Sequence, residues 1–383
     1  MATQFDRPID RSNTSSLKWE KYHDSDVLPM WVADTDFMSP PAIAEALHER
    51  IDHGVFGYTN TPDELDRLVI ERMQNLYNWT IEKDWLVWLP GLVCGLNLAC
   101  RAVGETNDQV FSPKPVYPPF MSSPRLSQRQ LVSVPLSEHN NRWTLDLTAL
   151  EAAITPESKL LLFCNPHNPG GAVYRREELE ALADLAVKHD LVICSDEIHC
   201  DLILEAGLTH IPLGSLNDDI GARSITLMAP SKTYNIAGLA CSFAIIPDRQ
   251  LRQQFLRQMK GIVPDVNLLG FTAAIAAYKD GDAWNAQQLD YLRRNRDYLV
   301  REINKIPGLK LAPIEATYLA WIDVSGAKLE NPAHFFEQAG VGLSPGRDFG
   351  DDRFMRLNFG CRRELLEEAV KRIRRAILGE LPA

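Results

Sequence analysis

The chain has 383 residues, more than one hydrophobic core usually supports, so two structural units are expected. Its hydrophobic content of 45% and charged content of 24% are those of an ordinary globular protein, which argues against a disordered or fibrous one. The net charge of −11 is spread along the chain without a basic block, which argues against nucleic acid or an anionic membrane as a partner.

Targeting segments, membrane spans and metal sites are not expected from the sequence. Residues 1–10 are polar, and no run approaches the roughly 18 apolar residues of a membrane span. The seven cysteines are scattered, mostly within apolar runs, so we expect reduced thiols in a cytoplasmic protein. The nine histidines show no metal-ligand spacing, and no metal is predicted.

The chain begins with a stretch of little periodicity that we expect to wrap over the surface as an arm. Apolar spacing then predicts helices over 42–53 and 63–78, separated by a glycine-bracketed loop that carries Tyr58. A predicted strand at 85–89 leads into Gly91 and a further helix. The free N–H groups at such a strand-to-helix turn suit an anion, although an ordinary turn is the alternative.

Predicted strands and helices alternate through the middle of the chain. The strands fall at 110–112, 131–135, 160–164 and 191–195, with helices at 147–154 and 176–189. This alternation predicts an α/β fold, in which a large, mostly parallel sheet of the seven-stranded type is covered by helices on both faces.

A smaller α+β unit is predicted near the C-terminus. The spacing becomes helical after residue 246, and a Pro-Gly break at 307–308 precedes the smaller unit. We therefore predict three parts: residues 1–45 as the arm and part of the small domain, 46–285 as the large domain, and 286–383 as the C-terminal small domain.

Three segments place different polar groups at the ends of predicted strands. Lys232 follows the apolar run 225–228, Asn168 follows the strand at 160–164, and Asp196 ends the next strand. Ligands of open α/β sheets bind at strand ends. A lone lysine there is usually solvated, but an amine, an amide and a carboxylate together suit an aldehyde cofactor with a pyridine ring.

These segments resemble those of the fold-type I pyridoxal-phosphate enzymes, the aspartate aminotransferase superfamily. The shared motifs are Asn165-Pro166-His167-Asn168-Pro169, Asp196-Glu197 and Ser231-Lys232. The N-terminal stretches Leu17-Lys18-Trp19 and 29–37 narrow the resemblance to the cystathionine β-lyase-like (MalY/PatB-type) carbon–sulfur lyases. The resemblance covers nearly the whole chain, and it implies pyridoxal 5′-phosphate (PLP), an amino-acid substrate and a homodimer with shared active sites.

The resemblance also implies the roles of the central residues. Lys232 would carry the cofactor and serve as the base, while Asp196 would pair with the pyridine nitrogen. Asn168 would donate to the phenolic oxygen and also lie against the substrate. Arg356, which alternates with apolar residues as a strand residue does, would bind the substrate carboxylate; the alternative is an outward-facing charge.

Other implied contacts surround the cofactor and cover the substrate. Tyr117 would stack on the pyridine ring, with a half-buried core tyrosine as the alternative. His199 would either tune a cofactor oxygen or only pack. Tyr58 would act across the dimer interface on the phosphate, unless it is a plain loop tyrosine. The backbone would contribute at Val32 and Ala33 for the substrate, and the phosphate would lie near Ser231, Gly91, Leu92 and Val93.

The implied activity is α,β-elimination from cystathionine or another cysteine S-conjugate, giving pyruvate, ammonia and a thiol. An aminotransferase would need the same residues, and a non-catalytic PLP-binding regulatory protein is a third possibility. Two departures from the broader superfamily favour the lyase branch. Residues 233–248 contain no arginine or lysine, and a histidine, His199, stands where a tyrosine is frequent.

Overall fold

A computed structural model describes residues 3–139 and 142–380. The helices are α1 (Leu17–Glu20), α2 (Pro41–Asp52), α3 (Asp63–Tyr77), α4 (Leu92–Ala102), α5 (Pro119–Leu126), α6 (Leu147–Ala152), α7 (Arg176–Lys188), α8 (Asp218–Gly221), α9 (Arg249–Met259), α10 (Leu268–Asp280), α11 (Asp282–Ile303), α12 (Pro332–Gln338) and α13 (Arg363–Ile377). The strands are β1 (Leu28–Pro29), β2 (Leu86–Leu89), β3 (Gln109–Lys114), β4 (Gln130–His139), β5 (Arg142–Leu145), β6 (Ser158–Cys164), β7 (Val192–Asp196), β8 (Ser224–Met228), β9 (Ser242–Ile245), β10 (Lys310–Leu311), β11 (Leu319–Asp323), β12 (Val341–Gly342), β13 (Ser344–Pro345) and β14 (Phe354–Asn358).

The large sheet has eight strands in the order β2-β9-β8-β7-β6-β3-β4-β5. The central strands β8, β7, β6, β3 and β4 are parallel, whereas β9 runs antiparallel to both of its neighbours. The prediction of an α/β fold with a mostly parallel sheet is therefore confirmed. The eighth strand, β5, was not predicted; it pairs antiparallel with the end of β4 and buries only Trp143.

Helices cover both faces of the large sheet, because successive strand residues point to opposite sides. In β6, Leu160 and Leu162 join one apolar cluster together with Leu96 of α4 and Phe255 of α9. The intervening Leu161 joins a second cluster, which is completed by residues of α7. The double covering explains why these strands read as nearly continuous apolar runs.

A smaller four-stranded antiparallel sheet, β10-β11-β14-β13, lies later in the chain. The N-terminal arm adds β1, which pairs in parallel with β12. The arm is more deeply packed than the lack of periodicity predicted, since Phe5 and Met30 belong to the largest apolar cluster. Within residues 3–139 and 142–380, no helix combines the length and the apolar character needed to cross a bilayer.

Strand register brings the three sequence segments together. Cys164 at the end of β6 pairs with Asp196 at the end of β7, and Asp196 pairs in turn with Leu227 near the end of β8. Since these strands are parallel, the segments that carry Asn168 and Lys232 leave the sheet at the same edge as Asp196.

Candidate active site

Lys232 lies in the turn that follows β8. Its Nζ donates a hydrogen bond to the carbonyl oxygen of Ala33 at 2.6 Å. Desolvation lowers the pKa of Lys232 to about 8; Asp34 and Asp196 oppose this effect, whereas the charge of Arg356 adds to it. A lysine with such a pKa releases its proton far more readily near neutrality than an ordinary lysine, as a base or a carbonyl-binding amine requires.

Asp196 ends β7 and is 5% exposed. Its Oδ1 accepts a hydrogen bond from the Ile198 N–H at 3.2 Å, and among the described residues no lysine, arginine or histidine lies within 4.0 Å of the carboxylate. Burial raises the pKa of Asp196 to about 7, although the Ile198 N–H and the charge of Lys232 lower it in part. A buried carboxylate with this little compensation favours a cation or a proton-bearing nitrogen beside it.

Arg356 reaches the same site from β14 and is 5% exposed. Its guanidinium donates to Asn168 Oδ1 at 3.1 Å and to the Trp31 carbonyl at 2.9 Å, and it lies 4.6 Å from the centre of the Phe349 ring. Within the described part of the chain it has no carboxylate partner, and its Nε has no hydrogen-bond acceptor. Burial lowers the pKa of Arg356 to about 10. The site therefore presents a buried cation without a counter-ion, which suits a substrate carboxylate.

The N-terminal stretch 31–37 covers these side chains through its backbone. The Ala33 carbonyl accepts a second hydrogen bond, from the Tyr318 hydroxyl at 3.0 Å. Asn358 Nδ2 donates to the Val32 and Asp34 carbonyls. Asn235 Nδ2 donates to the Phe37 carbonyl at 2.8 Å. The backbone at Val32 and Ala33 was predicted to lie near the substrate. Three side chains that the sequence did not single out donate hydrogen bonds to this stretch.

Tyr117 and His199 also lie against the site. The Tyr117 N–H donates to the Asn168 carbonyl at 3.1 Å; burial and then the charge of Asp196 raise the pKa of its half-buried hydroxyl. His199 is buried with its ring edge-on to Tyr318. Burial, followed by the charges of Lys232 and Arg356, lowers the pKa of His199 to about 3, so its ring is neutral. Its buried Nδ1 has no protein partner among the described residues.

The expected phosphate-binding residues form a more open end. Gly91 precedes α4, whose first turn receives no side-chain cap, and a Cβ added to Gly91 would meet no atom within 4 Å. Leu92 is buried, Val93 is exposed and Ser231 is partly exposed. Tyr58 is fully exposed, in a loop that forms a groove with residues 264–269. One chain therefore does not bring Tyr58 into the cluster around Lys232.

These residues fit PLP by their own chemistry. The desolvated amine of Lys232 suits an aldehyde, and the buried Asp196 carboxylate suits a protonated pyridine nitrogen. The buried Nδ1 of His199 adds a polar atom that the described residues leave without a partner. The uncapped α4 turn with space beside Gly91 suits a phosphate.

Comparison with known proteins identifies the family. The sequence profile of the family described as Aminotransferase class I and II matches residues 25–373. The chain belongs to this family. The predicted resemblance to its MalY/PatB-type branch is also confirmed, because the chain is similar to cystathionine β-lyase PatB of Bacillus subtilis (strain 168). The two are 39% identical over 97% of this chain and 99% of the relative.

The chain is also similar to solved structures over nearly its whole length. The crystal structure of OvoB has a TM-score of 0.96 at 53% identity and covers 98% of this chain and 99% of that one. Cystalysin from Treponema denticola, whose crystal structure contains PLP, has a TM-score of 0.94 at 32% identity, covering 99% and 100% of the two chains.

Proposed function

We propose that this chain is a PLP-dependent carbon–sulfur β-lyase acting on cystathionine or a related cysteine S-conjugate. The observation that carries the proposal is the meeting of a desolvated amine, Lys232, with the buried carboxylate of Asp196 and the buried guanidinium of Arg356. Arg356 has no counter-ion within residues 3–139 and 142–380. An α-amino acid supplies the carboxylate that Arg356 lacks, and its Cα–H supplies a proton for Lys232.

The relatives support elimination over transamination. Identity is 39% to cystathionine β-lyase PatB but 26% to an aspartate aminotransferase of Pyrococcus horikoshii, although both alignments span 97% of this chain. The absence of arginine and lysine from 233–248 supports the same branch.

The proposed roles follow from the contacts. Arg356 binds the substrate carboxylate as a planar fork while Asn168 and the Trp31 carbonyl fix its orientation. Asp196 and Asn168 would hold the pyridine nitrogen and the phenolic oxygen of PLP. Tyr117 would lie against the ring, and Ser231 with 91–93 would bind the phosphate. His199, being neutral, adds no charge beside the phenolic oxygen.

Bound PLP supplies an electron sink for the pair of electrons that remains when the substrate Cα loses its proton. The Nζ of Lys232 takes that proton and becomes an ammonium, which the Ala33 carbonyl is placed to stabilise. The Cβ–S bond then breaks, and the sulfur leaves with the bonding pair as a thiolate. The Lys232 ammonium returns its proton to the thiolate, which gives the thiol and restores the free amine. With one water, the remaining carbon skeleton gives pyruvate and ammonia, so the atoms and charges balance.

A panel of sulfur amino acids tests this activity. Purified enzyme with PLP should release pyruvate from cystathionine without any keto acid, while Lys232→Ala releases none. Formation of glutamate that requires 2-oxoglutarate, with no pyruvate, would instead identify an aminotransferase. A protein that binds PLP through Lys232 and does neither with any member of the panel would support the regulatory alternative.

We also propose a homodimer in which Tyr58 reaches the phosphate of the partner's site. The support is the exposed apolar loop around it, where Val55 and Phe56 are 61% and 60% exposed. Mixing Lys232→Ala with Tyr58→Ala tests shared sites, when the assay uses a PLP concentration that loads the wild-type protein but not Tyr58→Ala alone. Random reassortment should restore about a quarter of the wild-type activity, because each mixed dimer then holds one intact site. No recovery after confirmed subunit exchange would place Tyr58 outside the shared site.

The division into residues 1–45, 46–285 and 286–383 remains part of the proposal, supported by the separate large and small sheets. A cytoplasmic location is proposed because all seven cysteines are free thiols.

A further inference from the structure

A buried polar cluster lies behind the lysine turn, on residues to which the proposed function gives no role. Its centre is Asp201, which follows Asp196 by five positions. The intervening chain is held in tight turns, since the Cys200 N–H donates to the Glu197 carbonyl at 3.0 Å and the Leu202 N–H to the His199 carbonyl at 2.9 Å. The position of Asp201 is therefore fixed relative to the end of β7.

Asp201 also holds the residue next to Lys232. The Thr233 hydroxyl donates to Asp201 Oδ2 at 3.2 Å, and the Thr233 carbonyl accepts from Gln288 Nε2 at 2.9 Å. Thr233 and Gln288 are completely buried. Both the side chain and the backbone of Thr233 are thus bound, which restricts rotation of the turn that carries Lys232.

The second oxygen of Asp201 is fixed by Arg72 from α3. Arg72 Nη2 lies 2.8 Å from Asp201 Oδ1, and the guanidinium lies 5.2 Å from the centre of the Tyr278 ring. Arg72 also contacts Asp282, at 3.0 Å, but Asp282 is 68% exposed whereas Asp201 is 7% exposed. A buried carboxylate held by a charged partner has little freedom to turn, so it presents Oδ2 to Thr233 in one orientation.

We propose that Asp201 is a positioning residue for the amine of Lys232. Through Thr233 it fixes the lysine turn relative to Asp196, so that amine and carboxylate stand at the spacing PLP requires. The inference rests on the proposed function, and it concerns capture of the aldehyde more than general affinity for the cofactor. Such control matters because misplacement of a reacting group by about 1 Å can cost a hundredfold in rate.

The test compares two ligands on the full-length apoprotein. PLP reacts with Lys232, whereas 4′-deoxypyridoxine 5′-phosphate has the same ring and phosphate but no aldehyde. Affinities are measured by fluorescence quenching, and covalent capture of PLP is measured by borohydride reduction and mass spectrometry. Thr233→Val removes the hydroxyl with little change in volume, and Thr233→Ser restores it.

Thr233→Val and Asp201→Asn should each weaken PLP binding and slow covalent capture about tenfold, as loss of a hydrogen bond to a charged group predicts. Affinity for the analogue should stay within about twofold of wild type. Thr233→Ser should behave as wild type. The matched control Asp282→Asn removes a carboxylate from the same arginine without touching Thr233, and it should also match wild type.

Equal loss of affinity for both ligands would overturn the inference and assign Asp201 a purely structural role. Unchanged capture of PLP in both Thr233→Val and Asp201→Asn would overturn it as well, while leaving the proposed function intact. A wild-type protein that binds neither ligand would overturn the proposed function itself. The wild-type titration thus separates the two failures.

Discussion

The two ends of the candidate site differ in how far a single chain completes them. At the substrate end, Arg356 and Lys232 donate to backbone carbonyls of the stretch 31–37, and Arg356 also donates to Asn168. At the phosphate end, Gly91 borders open space and Tyr58 stands fully exposed on its loop. One end is closed by the chain's own groups, and the other is open.

This difference separates two kinds of contribution to catalysis. At the closed end each side chain depends on others for its orientation, so a substitution disturbs several contacts at once. At the open end the proposed phosphate site has several independent donors, so the loss of one should be tolerated better. Substitutions at the closed end should therefore cost more, and they should act on substrate turnover in addition to cofactor binding.

The largest effect is expected from Lys232→Ala. Loss of the amine removes the proposed base for the Cα proton, so pyruvate formation from cystathionine should fall by at least about a thousandfold. The visible absorbance of the PLP-loaded protein should disappear as well. Equal thermal unfolding of the two apoproteins would exclude misfolding, and a coloured, active variant would contradict the central role of Lys232.

Arg356→Lys should have the next largest effect. A lysine cannot reproduce the fork that donates to Asn168 and the Trp31 carbonyl, so kcat/KM should fall about a hundredfold. Most of the loss should appear in KM, because the substrate carboxylate is bound before and during the reaction. Ser344→Ala is the matched control, since Ser344 lies at a weaker 3.4 Å from the same guanidinium. A kcat/KM within threefold of wild type in Arg356→Lys would remove Arg356 from the substrate site.

The sequence predicted the parts of the site that leave strand ends. Asp196 ends β7, while Asn168 and Lys232 follow the neighbouring strands β6 and β8. Parallel register brings the ends of these three strands to one edge. Residue type and strand pattern are enough for that inference, because the carboxyl ends of neighbouring parallel strands always lie next to one another in space.

The sequence did not predict the groups that hold the N-terminal stretch. Tyr318 bonds the Ala33 carbonyl across 285 positions, and Asn358 bonds the Asp34 carbonyl across 324. Every residue has a backbone carbonyl, so residue type does not indicate which carbonyl will accept a hydrogen bond from a distant side chain. The strand β5 was missed for a related reason, since its single buried residue, Trp143, packs against Phe354 from the small sheet.

Asp196→Asn should change how stability depends on pH in the apoprotein. Burial raises the pKa of Asp196 from 3.8 to about 7, so in that window the folded chain keeps a proton that the unfolded chain has released. The free energy of unfolding should therefore fall as the pH rises across the window, by a few kcal/mol in total, and the variant should lack this fall.

His199 also makes the stability of the apoprotein depend on pH, so the contribution of Asp196 must be measured as a difference between wild type and variant. The pKa of His199 is lowered from 6.5 to about 3, so the unfolded chain binds the proton more readily and stability from His199 rises with pH over that range. Subtracting the denaturation curves of Asp196→Asn from those of the wild type isolates the carboxylate. A difference that does not vary with pH would show that Asp196 is already ionised at low pH.

The smallest effect is expected at the open end, from Tyr58→Phe. The change removes the hydroxyl that is proposed to donate to the phosphate, so the Kd for PLP should rise about tenfold or less. The KM for cystathionine in the fully loaded enzyme should stay within twofold of wild type, since the proposed substrate-binding residue is Arg356 and not Tyr58. Sedimentation should show the same assembly for both proteins, because the aromatic ring is retained. A large rise in KM with unchanged PLP affinity would reverse the division between the two ends and place Tyr58 at the substrate.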